Sequence, residues 1–130
     1  MSDQVNHPSH YTQQPFECIE FTQYMNFPMG NAFKYIWRYP DKGQAIQDLE
    51  KAAWYLGFQV EHLTPCPTFG APFGAMQAFE KFEQLQFPKQ QKTWLKTICT
   101  YNESYRRQPF ELITLRHEIY QLISELKQAQ

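Results

Sequence analysis

The sequence predicts an all-α protein, built as a small helical domain with an extended N-terminal arm and a helical C-terminal extension. Three observations support this fold class. Apolar residues recur at three- and four-residue spacing in several segments. Prolines and glycines gather between those segments, where they interrupt helices. With 42% apolar and 17% aromatic residues in 130 positions, the chain has enough material for one packed core.

The N-terminal arm covers residues 2–15 and is rich in small polar side chains. Pro8 and Pro15 lie within it, and each proline disfavours helical backbone in the residue before it. We therefore expect the arm to be extended. A short apolar stripe over residues 16–25 predicts a first helix that ends around residues 26–28.

Two further helices complete the first unit. The second is predicted from Gly30 or Asn31 to Tyr39, with Asn31 as its N-terminal cap and Pro40 as its stop. The third is predicted from Ala45 to His62, because apolar residues keep helical spacing throughout that segment.

A proline- and glycine-rich stretch at residues 65–74 carries three prolines and two glycines and indicates a boundary. It divides the chain into a helical module at 1–64 and a helical C-terminal region at 75–130. Helical spacing in the second region predicts helices at 75–86, 88–101 and 109–128.

Charge and cysteine content narrow the classes of partner. Residues 1–64 carry four basic and seven acidic side chains, and residues 65–130 carry eight and six. Neither half has the basic excess of a protein that binds polymeric nucleic acid. Three cysteines without a C-x-x-C pair fit a reducing cytosol. No signal peptide and no apolar run of about 18 residues is present, so we expect a cytoplasmic protein with no membrane partner.

The second helix carries a candidate phosphate site. Lys34 and Arg38 are four residues apart and share one helix face. A glycine at the predicted helix start, Gly30, would let an anion approach the backbone N–H groups, and Asn31 would cap the same end. The alternative is a solvated face on which Lys34 and Arg38 pair with nearby acids.

The arm and the third helix add hydrogen-bonding groups. His7, His10 and Tyr11 crowd one short segment, where the imidazoles could contact a phosphate or a base. Metal ligation is less favoured because no second histidine or cysteine pair lies nearby, so we predict no metal site. On the third helix, one side carries an acid, a base and a phenol, and the alternative is an ordinary amphipathic helix. These three residues are Asp48, Lys51 and Tyr55.

Four blocks of sequence carry a resemblance. They are V-N-H-P-S-H-Y, E-C-I-E, M-G-N-A-F-K-Y-I-W-R, and D-K-G with D-L-E-K-A-A-W-Y-L. In this order and spacing, over residues 5–61, the chain resembles a family of short phage proteins long catalogued as of unknown function. The best-known kind is a phage nucleotide kinase that phosphorylates deoxynucleoside monophosphates and lacks a Walker motif.

The resemblance implies a small-molecule nucleotide as partner, with ATP as phosphate donor and Mg²⁺ as a further candidate cofactor. Phosphoryl transfer depends mainly on positioning and charge neutralisation. The resemblance then implies phosphate contacts from Lys34, Arg38 and Lys51, with His7 or His10 on another phosphate. Asp48 or Glu20 would accept a proton or hold Mg²⁺. The remaining ligand-binding candidates are Asn31 and Tyr55, with Tyr11, Tyr35 or Trp37 stacking on the base.

Two other functions stay open beside the kinase. A protein that grips nucleotides without reacting would sequester a nucleotide signal used in host defence. A Mg²⁺-dependent pyrophosphohydrolase would use the E-x-x-E pair Glu17 and Glu20 with Asp48. We also expect a homo-oligomer with a shared site, in which Lys89, Lys92 and Lys96 reach a neighbour's ligand, although a solvated face is the simpler interpretation of these lysines.

Overall fold

A computed structural model of the chain describes residues 14–41, 43–66, 80–103 and 108–130. Within these ranges the chain is helical and forms no strand, which confirms the all-α class. Residues 80–82 are also helical. Most of the predicted N-terminal arm lies outside the described ranges. The helices are α1 (Ile19–Thr22), α2 (Phe27–Arg38), α3 (Ala45–His62), α4 (Lys89–Glu103) and α5 (Phe110–Gln128).

Helix α1 is a single turn, shorter than the predicted helix over residues 16–25. The Glu20 carboxylate reaches back and accepts a hydrogen bond from the Glu17 N–H at 2.7 Å, so the side chain closes the start of the turn. Phe21 is buried and contacts the rings of Phe33 and Trp37 at centroid distances of 5.9 and 5.8 Å. This turn therefore places the Phe21 side chain in the core.

Helix α2 begins earlier than predicted, and its cap is Asn26 rather than Asn31. The Asn26 side-chain oxygen accepts a hydrogen bond from the Met29 N–H at 2.8 Å. Pro28 lies in the first turn, where its missing N–H costs nothing because such groups have no partner inside the helix. The prediction took this proline as a stop signal between two helices, and that was wrong.

Helix α3 runs from Ala45 to His62, as predicted. It ends where Leu63 adopts the left-handed conformation with φ of 49°, and the Leu63 N–H donates to the Gln59 carbonyl at 2.8 Å. The predicted helices at 88–101 and 109–128 are confirmed as α4 and α5, within one or two residues at each end. Of the predicted helix at 75–86, residues 80–82 are helical and residues 75–79 lie outside the described ranges.

One hydrophobic core joins all five helices. Helix α2 packs against α3, α3 packs against α5, and α4 covers both α2 and α5. The cluster includes Phe33 and Leu56 from the first half and Trp94 and Ile119 from the second, each at most 1% exposed. The predicted division into two regions stays a prediction, and residues 67–79 lie outside the described ranges. None of the described helices combines the length and apolar character that a membrane crossing requires.

Side-chain amides, of which Gln59 and Gln91 are buried, hold α2 in place at both ends. At its start, the Asn26 amide donates to Gln59 of α3 at 3.0 Å, and Gln59 donates to the Tyr101 hydroxyl of α4 at 2.9 Å. At its end, the Gln91 amide of α4 donates to the carbonyls of Ile36 and Trp37 at 2.9 and 3.1 Å. Because these carbonyls belong to the last turn, α4 satisfies the helix end that carries Arg38.

Candidate functional site

Helices α2 and α3 bring six of the predicted residues together, and four of them lie around the ring of Tyr35. The Lys34 ammonium lies 4.6 Å from the ring centroid, and the Lys51 ammonium of α3 lies 5.3 Å from it. The Arg38 guanidinium carbon lies 5.6 Å from the same centroid. Tyr55 stacks on Tyr35 with centroids 6.2 Å apart and planes 13° from parallel. We call this group the cation–tyrosine cluster; with Asp48 it comprises Lys34, Tyr35, Arg38, Asp48, Lys51 and Tyr55.

The cluster follows from helical spacing on two neighbouring helices. Residues 34, 35 and 38 face the same side of α2, because positions three and four apart are neighbours on a helix surface. Residues 48, 51 and 55 are related in the same way on α3. Since α2 and α3 pack closely, the two polar stripes meet along one seam. Three cations separated by up to seventeen positions thereby share one aromatic ring.

Arg38 and Asp48 form the contact that links the charges of the two helices. The Arg38 Nε lies 3.5 Å from Asp48 Oδ2, and the two side chains are 22% and 1% exposed. Neither Asp48 oxygen nor Arg38 Nε has a hydrogen-bond partner in the described ranges. A charge-assisted hydrogen bond is about 2.7–2.9 Å long, so this pair is an electrostatic contact without the full hydrogen bond.

The charge balance of the cluster is positive. Within the ranges that the structure describes, neither Lys34 nor Lys51 makes an ion pair. Three cations therefore face one buried carboxylate. The alternative that both Lys34 and Arg38 pair with acids is confirmed for Arg38, whereas Lys34 has no acidic partner among the described residues. Such an excess of positive charge beside aromatic rings favours an anionic ligand with an aromatic part.

Asn31 and Gly30 do not form the open helix end that was predicted. The Gly30 N–H donates to the Asn26 carbonyl at 2.9 Å, so it is already used inside the helix. Asn31 donates its amide to the Phe27 carbonyl at 2.9 Å. Asn31 stays on the face of the cluster, one turn before Tyr35, but a backbone anion site at Gly30 is wrong because the helix starts at Phe27.

Glu20 lies in a different set of contacts. One carboxylate oxygen accepts from the Glu17 N–H, and the other lies 3.3 Å from the Lys81 ammonium. Glu17, Glu20 and Asp48 are all described, and no group of three histidine, cysteine or acidic residues in the described ranges could hold a metal ion. The predicted E-x-x-E metal site with Asp48 is therefore not assembled among the described residues. The Glu20 carboxylate instead contacts the Glu17 N–H and the Lys81 ammonium.

The structure tests two other predictions and does not describe the residues of a third. Trp37 is 1% exposed in the core, which rules out stacking on a base. Lys92 donates to two backbone carbonyls of its own chain, and Lys96 pairs with Glu83 at 3.1 Å, which supports the interpretation of that face as local and solvated. The arm residues His7, His10 and Tyr11 lie outside the described residues, so their roles stay predictions.

Sequence reasoning missed a row of aromatic rings beside the cluster. Phe27 meets Tyr55 edge-on at a centroid distance of 6.0 Å, and Trp54 meets Tyr55 edge-on at 5.1 Å. Phe58 follows Trp54 at 5.6 Å. Phe27 and Trp54 are 73% and 61% exposed. Their signal in the sequence was the placement of Trp54 and Phe58 four apart on the polar side of α3.

Comparison with known proteins finds a match to one family model over part of the chain. Residues 5–57 match the family DUF3310, described as a protein of unknown function. The match covers α1, α2 and most of α3, and so includes every residue of the cation–tyrosine cluster. It is consistent with the resemblance to short phage-type proteins of uncharacterised function. No curated protein and no solved structure matches the chain. The family description names no activity.

Proposed function

We propose that this protein binds a nucleotide at the cation–tyrosine cluster. One observation carries the proposal, namely that three cationic side chains meet around one tyrosine ring, itself stacked on a second. Phosphate groups need positive charge, and a base needs an aromatic face. The cluster supplies both within the reach of one small molecule.

The proposed division of roles follows from exposure and contacts. Lys34 and Lys51 lack ion-pair partners in the described ranges and would bind phosphate oxygens. Arg38 would add a third contact through its terminal nitrogens, since its Nε faces Asp48. The base would stack beside Tyr55 on the exposed ring of Phe27. Asp48, at 1% exposure, would hold the Arg38 guanidinium in place.

Phosphoryl transfer from ATP to a deoxynucleoside monophosphate is the reaction that we propose for the bound nucleotide. Its support is the sequence resemblance over residues 5–61, together with the positive charge of the cluster. Transfer of a phosphoryl group requires alignment of donor and acceptor and neutralisation of the charge on the transferred group. The two lysines and Arg38 would supply that neutralisation.

Titration calorimetry with each deoxynucleoside monophosphate and with ATP tests the binding site. Lys34→Gln and Lys51→Gln are each expected to weaken nucleotide affinity about tenfold or more, because each removes one charge-assisted contact. Lys96→Gln is the matched control, since Lys96 is half-exposed on α4 and pairs with Glu83. Unchanged affinity in both cluster variants, or no binding by the wild-type protein, would remove the proposed site.

Chromatography of the same mixtures distinguishes the functions. New nucleoside diphosphate identifies a kinase, and pyrophosphate released from a triphosphate identifies a hydrolase. Tight binding of a ligand that is recovered intact identifies sequestration. The last two results contradict the proposed reaction, while the binding site itself is judged by the calorimetry of the lysine variants.

A further inference from the structure

Helix α3 carries a second stripe that faces directly away from the core. It consists of Lys51, Trp54, Phe58 and Glu61, spaced by three, four and three residues. Side chains at this spacing line one narrow face of a helix. The opposite face carries Leu49 and Leu56, which are fully buried. We call the four residues the α3 stripe.

The apolar centre of the α3 stripe consists of an exposed tryptophan, Trp54, and a half-buried phenylalanine, Phe58. Trp54 is 61% exposed, whereas Trp37 and Trp94, the other two tryptophans, are each 1% exposed. The Trp54 ring is tilted against the Phe58 ring at a centroid distance of 5.6 Å, so the two side chains form one continuous apolar surface. Exposed aromatic surface of this kind marks contact sites in soluble proteins.

The charged ends of the stripe indicate what covers it. Lys51 stands one turn before Trp54 and Glu61 one turn after Phe58, with opposite charge. Neither side chain makes an ion pair with another described residue. Along α3 the stripe runs from a positive residue through two apolar residues to a negative residue. Such a stripe is complementary to a second copy of itself when the two helices are antiparallel. In the parallel direction, like charges would face each other.

We propose that two copies of this chain associate through antiparallel α3 helices. The two-fold axis passes between Trp54 and Phe58, so Trp54 of each copy packs on the partner's Phe58. The same register places Lys51 opposite the partner's Glu61, twice in the dimer. Such self-complementary pairing is the usual form of a two-fold interface.

The size of the stripe sets the strength of the association. Trp54 exposes on the order of 150 Å², given the surface that aromatic side chains bury. With Phe58 and the stems of the charged residues, each copy would contribute on the order of 400 Å², below the roughly 800 Å² per partner of a standard interface. An interface of this small area is typical of weak, transient complexes.

The interface and the nucleotide site are separable. Lys51 belongs to both, but Glu61 belongs only to the α3 stripe. The variant Glu61→Lys is expected to weaken the dimer while every side chain of the cation–tyrosine cluster is retained. The dimer is measured without nucleotide, so its failure and the failure of the proposed function are observed separately.

Sedimentation equilibrium on the full chain, across the micromolar range, tests the proposal by charge exchange. Lys51→Glu and Glu61→Lys should each weaken the dimer about tenfold, because each turns two attractive pairs into two repulsive ones. The double variant restores the pairs with reversed sign and should return the dissociation constant to near its wild-type value. Lys96→Glu is the matched control, with the same charge change on an exposed lysine of α4.

Tryptophan emission provides a second measurement. The wild-type spectrum should shift to the blue as protein concentration rises, and Trp54→Phe should abolish that shift. A monomeric mass at every concentration overturns the proposal, as does a dimer that the single reversals do not weaken or the double variant does not restore. Blue-shifted Trp54 emission in a monomer would also overturn it, because a segment of the same chain would then cover the stripe.

Discussion

Removing the Arg38 guanidinium should destabilise the protein far more than removing an exposed cation at the same distance from an acid. Arg38→Met keeps most of the apolar stem and deletes the charge. In the folded protein this leaves the Asp48 carboxylate 1% exposed, with no hydrogen-bond partner for either oxygen among the described residues. A buried charge without a partner is strongly unfavourable, because it has lost its hydration and gained nothing in return.

The expected loss in the free energy of unfolding follows from the 3.5 Å separation of Arg38 Nε and Asp48 Oδ2. At an effective dielectric constant of about 20, two unit charges at that distance attract by about 5 kcal/mol. Removing one partner of a buried pair costs about 3–5 kcal/mol. Since Arg38 is 22% exposed, we expect a loss of about 3 kcal/mol. That is a large part of the roughly 5–15 kcal/mol that stabilises a typical domain.

Urea denaturation followed by circular dichroism measures the loss of stability in Arg38→Met. With a slope of about 1–2 kcal/mol per molar urea, the midpoint should fall by roughly 2 M. The double variant Arg38→Met/Asp48→Leu removes both charges and should lie within about 1 kcal/mol of the wild type. This recovery would show that the loss of stability comes from the unpaired Asp48 carboxylate and not from a general packing defect.

The matched control is Lys127→Met. Lys127 lies 3.6 Å from Glu50, almost the same distance, but the two side chains are 56% and 52% exposed. Water screens such a pair, so its loss should cost below about 1 kcal/mol. Equal costs for Arg38→Met and Lys127→Met, or a cost of Arg38→Met under about 1 kcal/mol, would refute the reasoning from burial.

Three other perturbations test the structure at separate points. Asn26→Ala removes the α2 cap and the tertiary hydrogen bonds of the Asn26 amide and should cost about 2–3 kcal/mol by urea denaturation, whereas Asn26→Asp should keep the cap. Burial raises the pKa of Cys18 from 9.0 to about 12, against the opposing charge of a nearby lysine. The contribution of Cys18 to stability should therefore be constant below pH 9 and fall from pH 9 towards 12, so that Cys18→Ala should lose less stability over that range than the wild type; iodoacetamide should modify half-buried Cys66 before Cys18. Gly57→Ala should raise the melting temperature slightly, since the new methyl group meets only the mobile end of Arg116 while helix propensity gains about 1 kcal/mol; a lower melting temperature would contradict this.

Helix boundaries show how local signals succeed and fail. The bounds of α3 were predicted because apolar periodicity continues without interruption from Ala45 to His62. The start of α2 was mistaken because Asn26 and Asn31 are both good caps and Pro28 can either stop a helix or open one. The choice depended on tertiary contacts, since the Asn26 amide also bonds to Gln59 and the Thr64 carbonyl.

By itself, the sequence determined the all-α class of the described part of the chain and which residues share a face of each helix. Lys34 and Arg38 on α2, and Asp48, Lys51 and Tyr55 on α3, lie as their spacing predicts, because helical periodicity is a local property of the backbone. The tertiary structure decided which faces meet. It placed three cations around Tyr35 and paired Arg38 with Asp48.

Tertiary packing also excluded two candidate site residues that helical spacing alone could not exclude. Trp37 entered the core with Phe21 and Phe87, and Glu20 was drawn to Lys81, sixty-one positions away. Such contacts join residues far apart in sequence, and they are selected by the joint packing of several apolar faces. Spacing along one helix carries no information about that selection, so the partners of each stripe were decided only in the folded protein.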